Sequence, residues 1–390
     1  MYSATAYDLL YAVVPKPSRR HSGAAKRAPL LVWVFAPFVE TDDPNLACYN
    51  DYEQSRAEFA SAFADLGCEW HWIAVTMDNY RQVVDDVVAE SKRRRPVVLN
   101  LCDGDETNGS PGISVIRYLE ERGLTYTGAD ERFYDITTSK IVMKEAFDRA
   151  GVPTAAWEVV PKSARYAKHV DGIFDRVGSP LILKPAISAG SMGVTNHSVV
   201  DAGRDLLRQV RLLRDGYRGW DLAGGGIFVE QFISGYEFTT FIIGSYDAPD
   251  RAIVYPPVER VFHAGLPHTE QFLSFDRLWQ LYEFDKPIGD DEDLWTYQQP
   301  PEGLLKQISD VSWAAYAAVE GTGYGRVDLR MDRETGRLYV LEVNAQCGLS
   351  EDENYTSIGA ILRYAKSPFS QAVKAIIDES LRSRAQVHAA

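Results

Sequence analysis

Between residues 30 and 122, short apolar runs alternate with stretches of helical spacing, and no other feature narrows the fold as much. Residues 30–36, 70–75 and 96–101 read as buried strands. Residues 55–66, 81–94 and 113–122 read as helices, the first stopping at Gly67 and the third at Gly123. Such alternation predicts a parallel α/β sheet with polar loops, among them 102–111, gathered at the strand C-termini.

The chain of 390 residues exceeds one ordinary core, so two to three domains are expected. The N-terminal α/β domain is placed at 1–135. A helix over 138–150 follows, with Thr137 or Thr138 as N-cap and Gly151 and Pro153 as its stop. Strands are expected at 181–184, 194–200, 227–233, 238–243 and 252–255, with a helix at 202–213. Residues 264–302 are aromatic, acidic and aperiodic, the pattern of a lid. A helix over 304–320 precedes a hairpin of 325–331 and 337–344. The remaining chain divides into domains 136–225 and 226–390, the second carrying the lid. Residues 15–29, with five Lys or Arg between two prolines, read as an exposed loop.

The net charge of −14 disfavours nucleic acid and anionic membrane surfaces as partners. Four cysteines without CxxC spacing argue against disulfides or a zinc site and fit a reducing cytoplasm. No apolar stretch is long enough to span a bilayer, and no secretory leader is visible.

The hairpin carries the strongest chemistry. Strand side chains alternate, so Arg326 and Asp328 share a face, as do Glu342 and Asn344. A turn centred near Thr335 sets Asp328 opposite Glu342 and Arg326 opposite Asn344, with Val327, Leu329, Leu341 and Val343 on the buried side. Two carboxylates at about 5 Å repel unless a cation intervenes. A hard divalent ion, most naturally Mg²⁺ arriving with phosphates, resolves that repulsion; a salt-bridge cluster with Arg326 is the alternative.

Lys184 ends a buried strand and runs into Ser188-Ala-Gly190-Ser191-Met-Gly193, where small residues let backbone N–H groups converge on an anion. A flexible turn is the competing reading. Glu230, Gln231, Phe232 and Ile233 end another strand with polar beside apolar side chains, suited to an adenine edge, and Glu237 is placed for ribose hydroxyls; an ordinary hairpin with exposed acids is the competing reading. Lys140 sits in the first turn of a helix, against the dipole preference, and can reach phosphates; an exposed surface lysine is the alternative.

The segments TTSKIVMKEAFDRAGVPT, LILKPAISAGSMGV, IFVEQFISGYEFT and GYGRVDLRMDRETGRLYVLEVNAQCGL resemble the ATP-grasp superfamily, specifically its D-alanine–D-alanine ligase branch, over about residues 124–362. The resemblance implies two α+β subdomains sandwiching ATP behind an N-terminal α/β domain. It makes Lys140 and Lys184 phosphate ligands and the segment from Ser188 through Gly190 and Ser191 to Gly193 the loop over them. It sets Glu230, Phe232 and Ile233 around adenine, with Gln231 where the family has a lysine, and Glu237 on ribose. Asp328, Glu342 and Asn344 become ligands of Mg²⁺, as one or two ions, with Mn²⁺ as a substitute. Arg326 would stabilise the oxyanion and Gly348 would contact substrate. A homodimer is a further implication.

The chain departs from that pattern in its substrate region. Where the family has a GGxSxE-like segment, this sequence reads APFVETDDP, so the amine-anchoring glutamate has no counterpart; Glu40 and Glu53 are candidates. Asp103, Asp105 and Glu106 are candidate amine contacts, or acids of a solvated turn. Cys347 reads as a packing residue. The expected activity is an ATP-dependent ligation of a small-molecule carboxylate and amine, amino acids or short peptides, through an acyl-phosphate. Alternatives are D-alanine–D-alanine ligation, a phosphotransferase on the same nucleotide site, and a non-catalytic ATP-binding module.

Overall fold

The N-terminal apolar runs become β1 (Leu30–Pro37), β2 (Glu69–Val75) and β3 (Arg95–Asn100), paired in parallel in the order β2-β1-β3. The computed structural model describes residues 30–41, 52–91, 94–162, 168, 170, 172–279, 289 and 293–387. The expected loop 15–29 lies outside the described residues. Helices α1 (Glu53–Leu66), α2 (Tyr80–Glu90) and α3 (Ile113–Glu121) alternate with these strands. Helix α1 closes on Gly67, whose left-handed φ of 62° only glycine adopts without strain.

The single helix expected from 138 is in fact preceded by another. Asp130 caps α4 (Glu131–Thr138) by accepting the Phe133 N–H at 2.8 Å. Thr137 and Thr138 end α4, their hydroxyls donating to the Phe133 and Tyr134 carbonyls at 2.8 Å. Extended Ser139 then starts α5 (Lys140–Ala150).

A four-stranded antiparallel sheet follows, built from β4 (Trp157–Val160), β5 (Leu181–Pro185), β6 (Val199–Val200) and β7 (Ile227–Gln231) in the order β4-β7-β5-β6. Helices α6 (Ile173–Val177) and α7 (Gly203–Asp215) accompany it. The expected strand 194–200 shrinks to β6, because Thr195 and Ser198 form a capping box around the turn Asn196–Ser198. Since β7 pairs with β4 and β5, this sheet extends through Gln231, past the expected boundary at 225.

The last sheet has β8 (Gly235–Ile243), β9 (Ile253–Val254), β10 (Val258–Phe262), β11 (Trp295–Gln298), β12 (Tyr324–Asp332) and β13 (Leu338–Ala345). Their order is β11-β10-β8-β12-β13, with β9 on β8. The described part of the expected lid contains α8 (Phe275–Trp279) and β11. Helix α9 (Glu302–Ala318) covers the sheet. Val327, Leu329, Val340 and Val343 are fully buried with Phe133, Phe147 and Tyr316, each aliphatic side chain stabilising by about 1.5–3 kcal/mol. Two helices absent from the sequence reading, α10 (Ser357–Ala365) and α11 (Phe369–Val387), return the chain to the N-terminal unit, where the Phe369 ring lies 5.4 Å from Phe59. Among the described residues, no helix is long and apolar enough to cross a membrane.

Candidate active site

The hairpin registers as its turn chemistry predicts: Arg326 faces Asn344 and Asp328 faces Glu342. Asn344 Nδ2 bridges the two carboxylates, donating to Asp328 Oδ2 at 2.9 Å and Glu342 Oε1 at 3.2 Å. Arg326 donates from Nη2 to Asp328 Oδ2 at 2.9 Å, and Thr239 of β8 donates to Oδ1 at 2.7 Å. The buried face differs by one residue from expectation. A bulge after Asp328 pairs Leu329 with Val340, so Leu341 is the unpaired extra residue; it turns out of the core and lines the cleft.

Lys140, the first residue of α5, reaches Glu342 Oε2 at 3.4 Å and donates to the Ser188 carbonyl at 2.7 Å. Burial pushes Glu342 up, but Lys140, Lys184 and Arg326 outweigh it and hold the carboxyl below its ordinary value. The two carboxylates, backed by cations that also suit phosphate, are hard-oxygen donors that could hold a divalent ion, with Asn344 turning its amide nitrogen toward them.

Lys184, at the end of β5, pairs with Glu230 Oε1 at 2.6 Å. The other oxygen of Glu230 pairs at 2.5 Å with Lys144, which sits on α5 one turn beyond Lys140 and also donates to Thr154 at 2.6 Å. Glu230 and Lys144 are buried. Glu230, expected beside adenine, therefore has its carboxylate fully engaged between two lysines. Burial raises Glu230, yet the two ammonium groups prevail and bring it down to about 2. Burial also pulls Lys144 below its ordinary value. Because the folded value of Glu230 is depressed from 4.5, its stabilisation is present above pH 4.5 and is lost as pH falls toward 2. Glu230→Gln should flatten stability against pH in that window, as read by denaturant midpoints at successive pH values.

The loop after β5 is held shut. Gly193 (φ 78°) has no room for a Cβ, which would lie 2.7 Å from Leu222 and 2.9 Å from Leu213. Gly190 offers its carbonyl to Trp279 Nε1 at 3.0 Å, and the Ser191 hydroxyl donates to the Leu273 carbonyl at 2.9 Å. Ser188, Gly190, Ser191 and Met192 all line the cleft.

Phe232 packs with Ile182, Val194 and Phe272, and all four line the cleft together with Leu341. Gln231 and Ile233 line the same wall. Glu237 is gripped by Arg260 and, at 3.3 Å, by Arg330 Nε, whose Nη1 donates to the Ile233 carbonyl at 2.8 Å. The sequence reading missed both arginines. Arg330 continues the alternation of Arg326 and Asp328 and could have been found; Arg260 lies on β10, which was not foreseen.

These groups line one cleft of about 820 Å³ that also reaches Tyr52, Asp103, Asp105, Gly348 and Glu353. Gly348 is exposed to it, whereas Cys347 is buried and its thiol is pushed up to about 12 by burial, with Arg326 opposing. Glu40 and Glu53 are absent from the cleft lining, and Glu106 instead accepts the Ser114 N–H at 2.6 Å and its hydroxyl at 2.8 Å. Two missed residues hold the loop after β13. Glu58 accepts from the Ser350 hydroxyl at 2.8 Å. Buried Gln346 accepts the Ala129 N–H at 2.9 Å and donates to the Asn100 carbonyl at 2.9 Å. Gln346→Ala should cost about 1–3 kcal/mol for each backbone group left unpaired, measurable by chemical denaturation.

A family model described as D-ala D-ala ligase C-terminus matches residues 146–377. The D-alanine–D-alanine ligase of Bordetella pertussis is 31% identical over 235 residues, covering 60% of this chain and 63% of that protein. The match to the Bordetella petrii enzyme takes in 61% of its length, so the chain spans less than two thirds of these relatives. The Pseudomonas putida enzyme is 28% identical over 315 residues, 77% of this chain and 82% of that one. In structure, the Bacillus anthracis D-alanine–D-alanine ligase complexed with ATP superposes with a TM-score of 0.60 at 18% identity, over 92% of this chain and 99% of that one. The fold is that of the ATP-grasp ligases, and, with the family model covering more than half of its length from α5 into α11, the chain belongs to the D-ala D-ala ligase C-terminus family.

Proposed function

We propose that the protein is an ATP- and Mg²⁺-dependent ligase that joins an amino-acid-like carboxylate to a small-molecule amine through an acyl-phosphate, releasing ADP and phosphate. The observation that carries this reading is the pairing of Asp328 and Glu342 across the hairpin, flanked by Arg326 and Asn344 and faced by Lys140.

In this reading Asp328, Glu342 and Asn344 hold Mg²⁺, whose charge would neutralise the transferring phosphoryl group. Lys140 and Lys184 receive phosphate oxygens under the loop that contains Ser188, Gly190, Ser191 and Gly193. Phe232, Ile233 and Gln231 border adenine, and Glu237 faces ribose. Arg326 and the backbone at Gly348 stabilise the oxyanion as the amine attacks. The segment 264–302 excludes water, which would otherwise hydrolyse the intermediate. No side chain serves as nucleophile; the raised thiol of Cys347 supports a packing role.

The test is phosphate release from ATP and Mg²⁺ with carboxylates and amines supplied singly and in pairs, with product masses. Release that needs a pair, with a product equal to their sum minus water, supports the ligase. Phosphate incorporated into a single stable product would replace it with a phosphotransferase.

A further inference from the structure

We infer that the end of the cleft facing the N-terminal sheet receives a cationic amine that lacks a free carboxylate of its own, with Asp103 as its counter-ion. The inference rests on the ligase reading and names the class of its second substrate.

The charges lining the cleft are distributed unevenly. Its described lysines and arginines are Lys140, Lys184, Arg260, Arg326 and Arg330. All lie at the nucleotide end, and each already faces an acid: Glu342 at 3.4 Å, Glu230 at 2.6 Å, Glu237, Asp328 at 2.9 Å and Glu237 at 3.3 Å. Arg326, the one nearest the reacting centre, is needed there for the first substrate's carboxyl carbon. The opposite end is lined by Tyr52, Ser55, Asp103, Asp105, Glu353 and Tyr355, with no lysine, arginine or histidine among the described residues.

The acids at that end are not equivalent. Glu353 is paired with Arg363 at 2.6 Å. Asp105 accepts from Asn108 N and Nδ2 at 3.1 and 3.2 Å. Asp103, three residues past β3, makes no ion pair among the described residues and is open to the cleft. Partial desolvation, opposed by its own amide and reinforced by Asp105, pushes it up to about 6. A carboxylate in this state gains by meeting an ammonium group, and a second carboxylate brought beside it is repelled.

The occupant fitting this chemistry is a diamine, or an amino acid whose carboxylate is blocked as an amide. A free amino acid, which brings a carboxylate next to its ammonium group, is disfavoured. Calorimetric titration of the full chain with Mg²⁺ and a non-hydrolysable ATP analogue tests this directly. The ligands are matched sets of a free amino acid, its carboxamide and its decarboxylated amine, with small, aliphatic and aromatic side chains. In at least one set the amide and the amine should bind at least about tenfold tighter than the parent acid. Asp103→Asn should remove that preference, and Asp103→Glu should restore part of it. Equal or tighter binding of the free acid, no binding by any set, or an unchanged preference in Asp103→Asn would each overturn the inference. Phosphate release with carboxylate and amine pairs reports separately on the ligase reading, which survives if free amino acids prove to be the better acceptors.

Discussion

Glu342→Ala is expected to lower phosphate release from ATP and Mg²⁺ by at least about 10²–10³-fold while leaving the protein folded. The carboxylate lies opposite Asp328, 3.4 Å from Lys140 Nζ, and is capped by Asn344. Its removal takes away one of the two carboxylates that the proposal assigns to Mg²⁺ and leaves Lys140 with the Ser188 carbonyl. The nucleotide then binds beside an excess of positive charge but without a properly held metal, so affinity for ATP should fall less than turnover. The side chain is partly open to the cleft, not packed in the core, so the cost in stability should stay within about 1 kcal/mol. Steady-state kinetics beside a thermal melt separate the two effects. Parent-like turnover in a folded Glu342→Ala protein would remove the hairpin from the reaction.

The second large effect falls on a residue outside the nucleotide wall. Lys144 is buried and holds Glu230 at 2.5 Å and Thr154 at 2.6 Å. Lys144→Met leaves a buried carboxylate facing one cation where it had two, and such removal of one partner typically costs about 3–5 kcal/mol. Converting both members, as Lys144→Met with Glu230→Leu, should recover most of that loss, since a packed apolar pair avoids desolvating either charge. Activity should not recover with stability, because Lys184 has lost the carboxylate that fixes it 2.6 Å away. Urea unfolding and phosphate release on the single and double variants read out both. If Lys144→Met unfolds at the parent's midpoint, the triad does not hold this wall in place.

What could be read from the sequence follows from where the information is local. Strand alternation and a short turn fix a hairpin register, so the facing of Asp328 and Glu342 was legible before any coordinates. The bulge that swaps Val340 for Leu341 was not, because the two are adjacent and both apolar, so alternation alone does not say which one faces the core. Ser139 hid a break between two helices, since Asp130 caps α4 eight residues ahead of the expected start. Residues that work by joining distant segments were missed throughout. Gln346 bonds to Asn100 and Ala129, Glu58 to Ser350, and Lys144 to Glu230; none of these pairings leaves a periodic trace. Glu230 shows the same limit from another side. Its position in the motif was plain, but its carboxylate is turned toward lysines from α5 and β5, a choice made by packing.

Isotope transfer tests the central claim most directly. With an amine, ATP, Mg²⁺ and a carboxylate substrate labelled with ¹⁸O at both oxygens, an acyl-phosphate route moves one substrate oxygen onto the departing phosphate. One ¹⁸O per phosphate, matched one-to-one with amide formed, is the predicted result. Amide formation accompanied by unlabelled phosphate would contradict it.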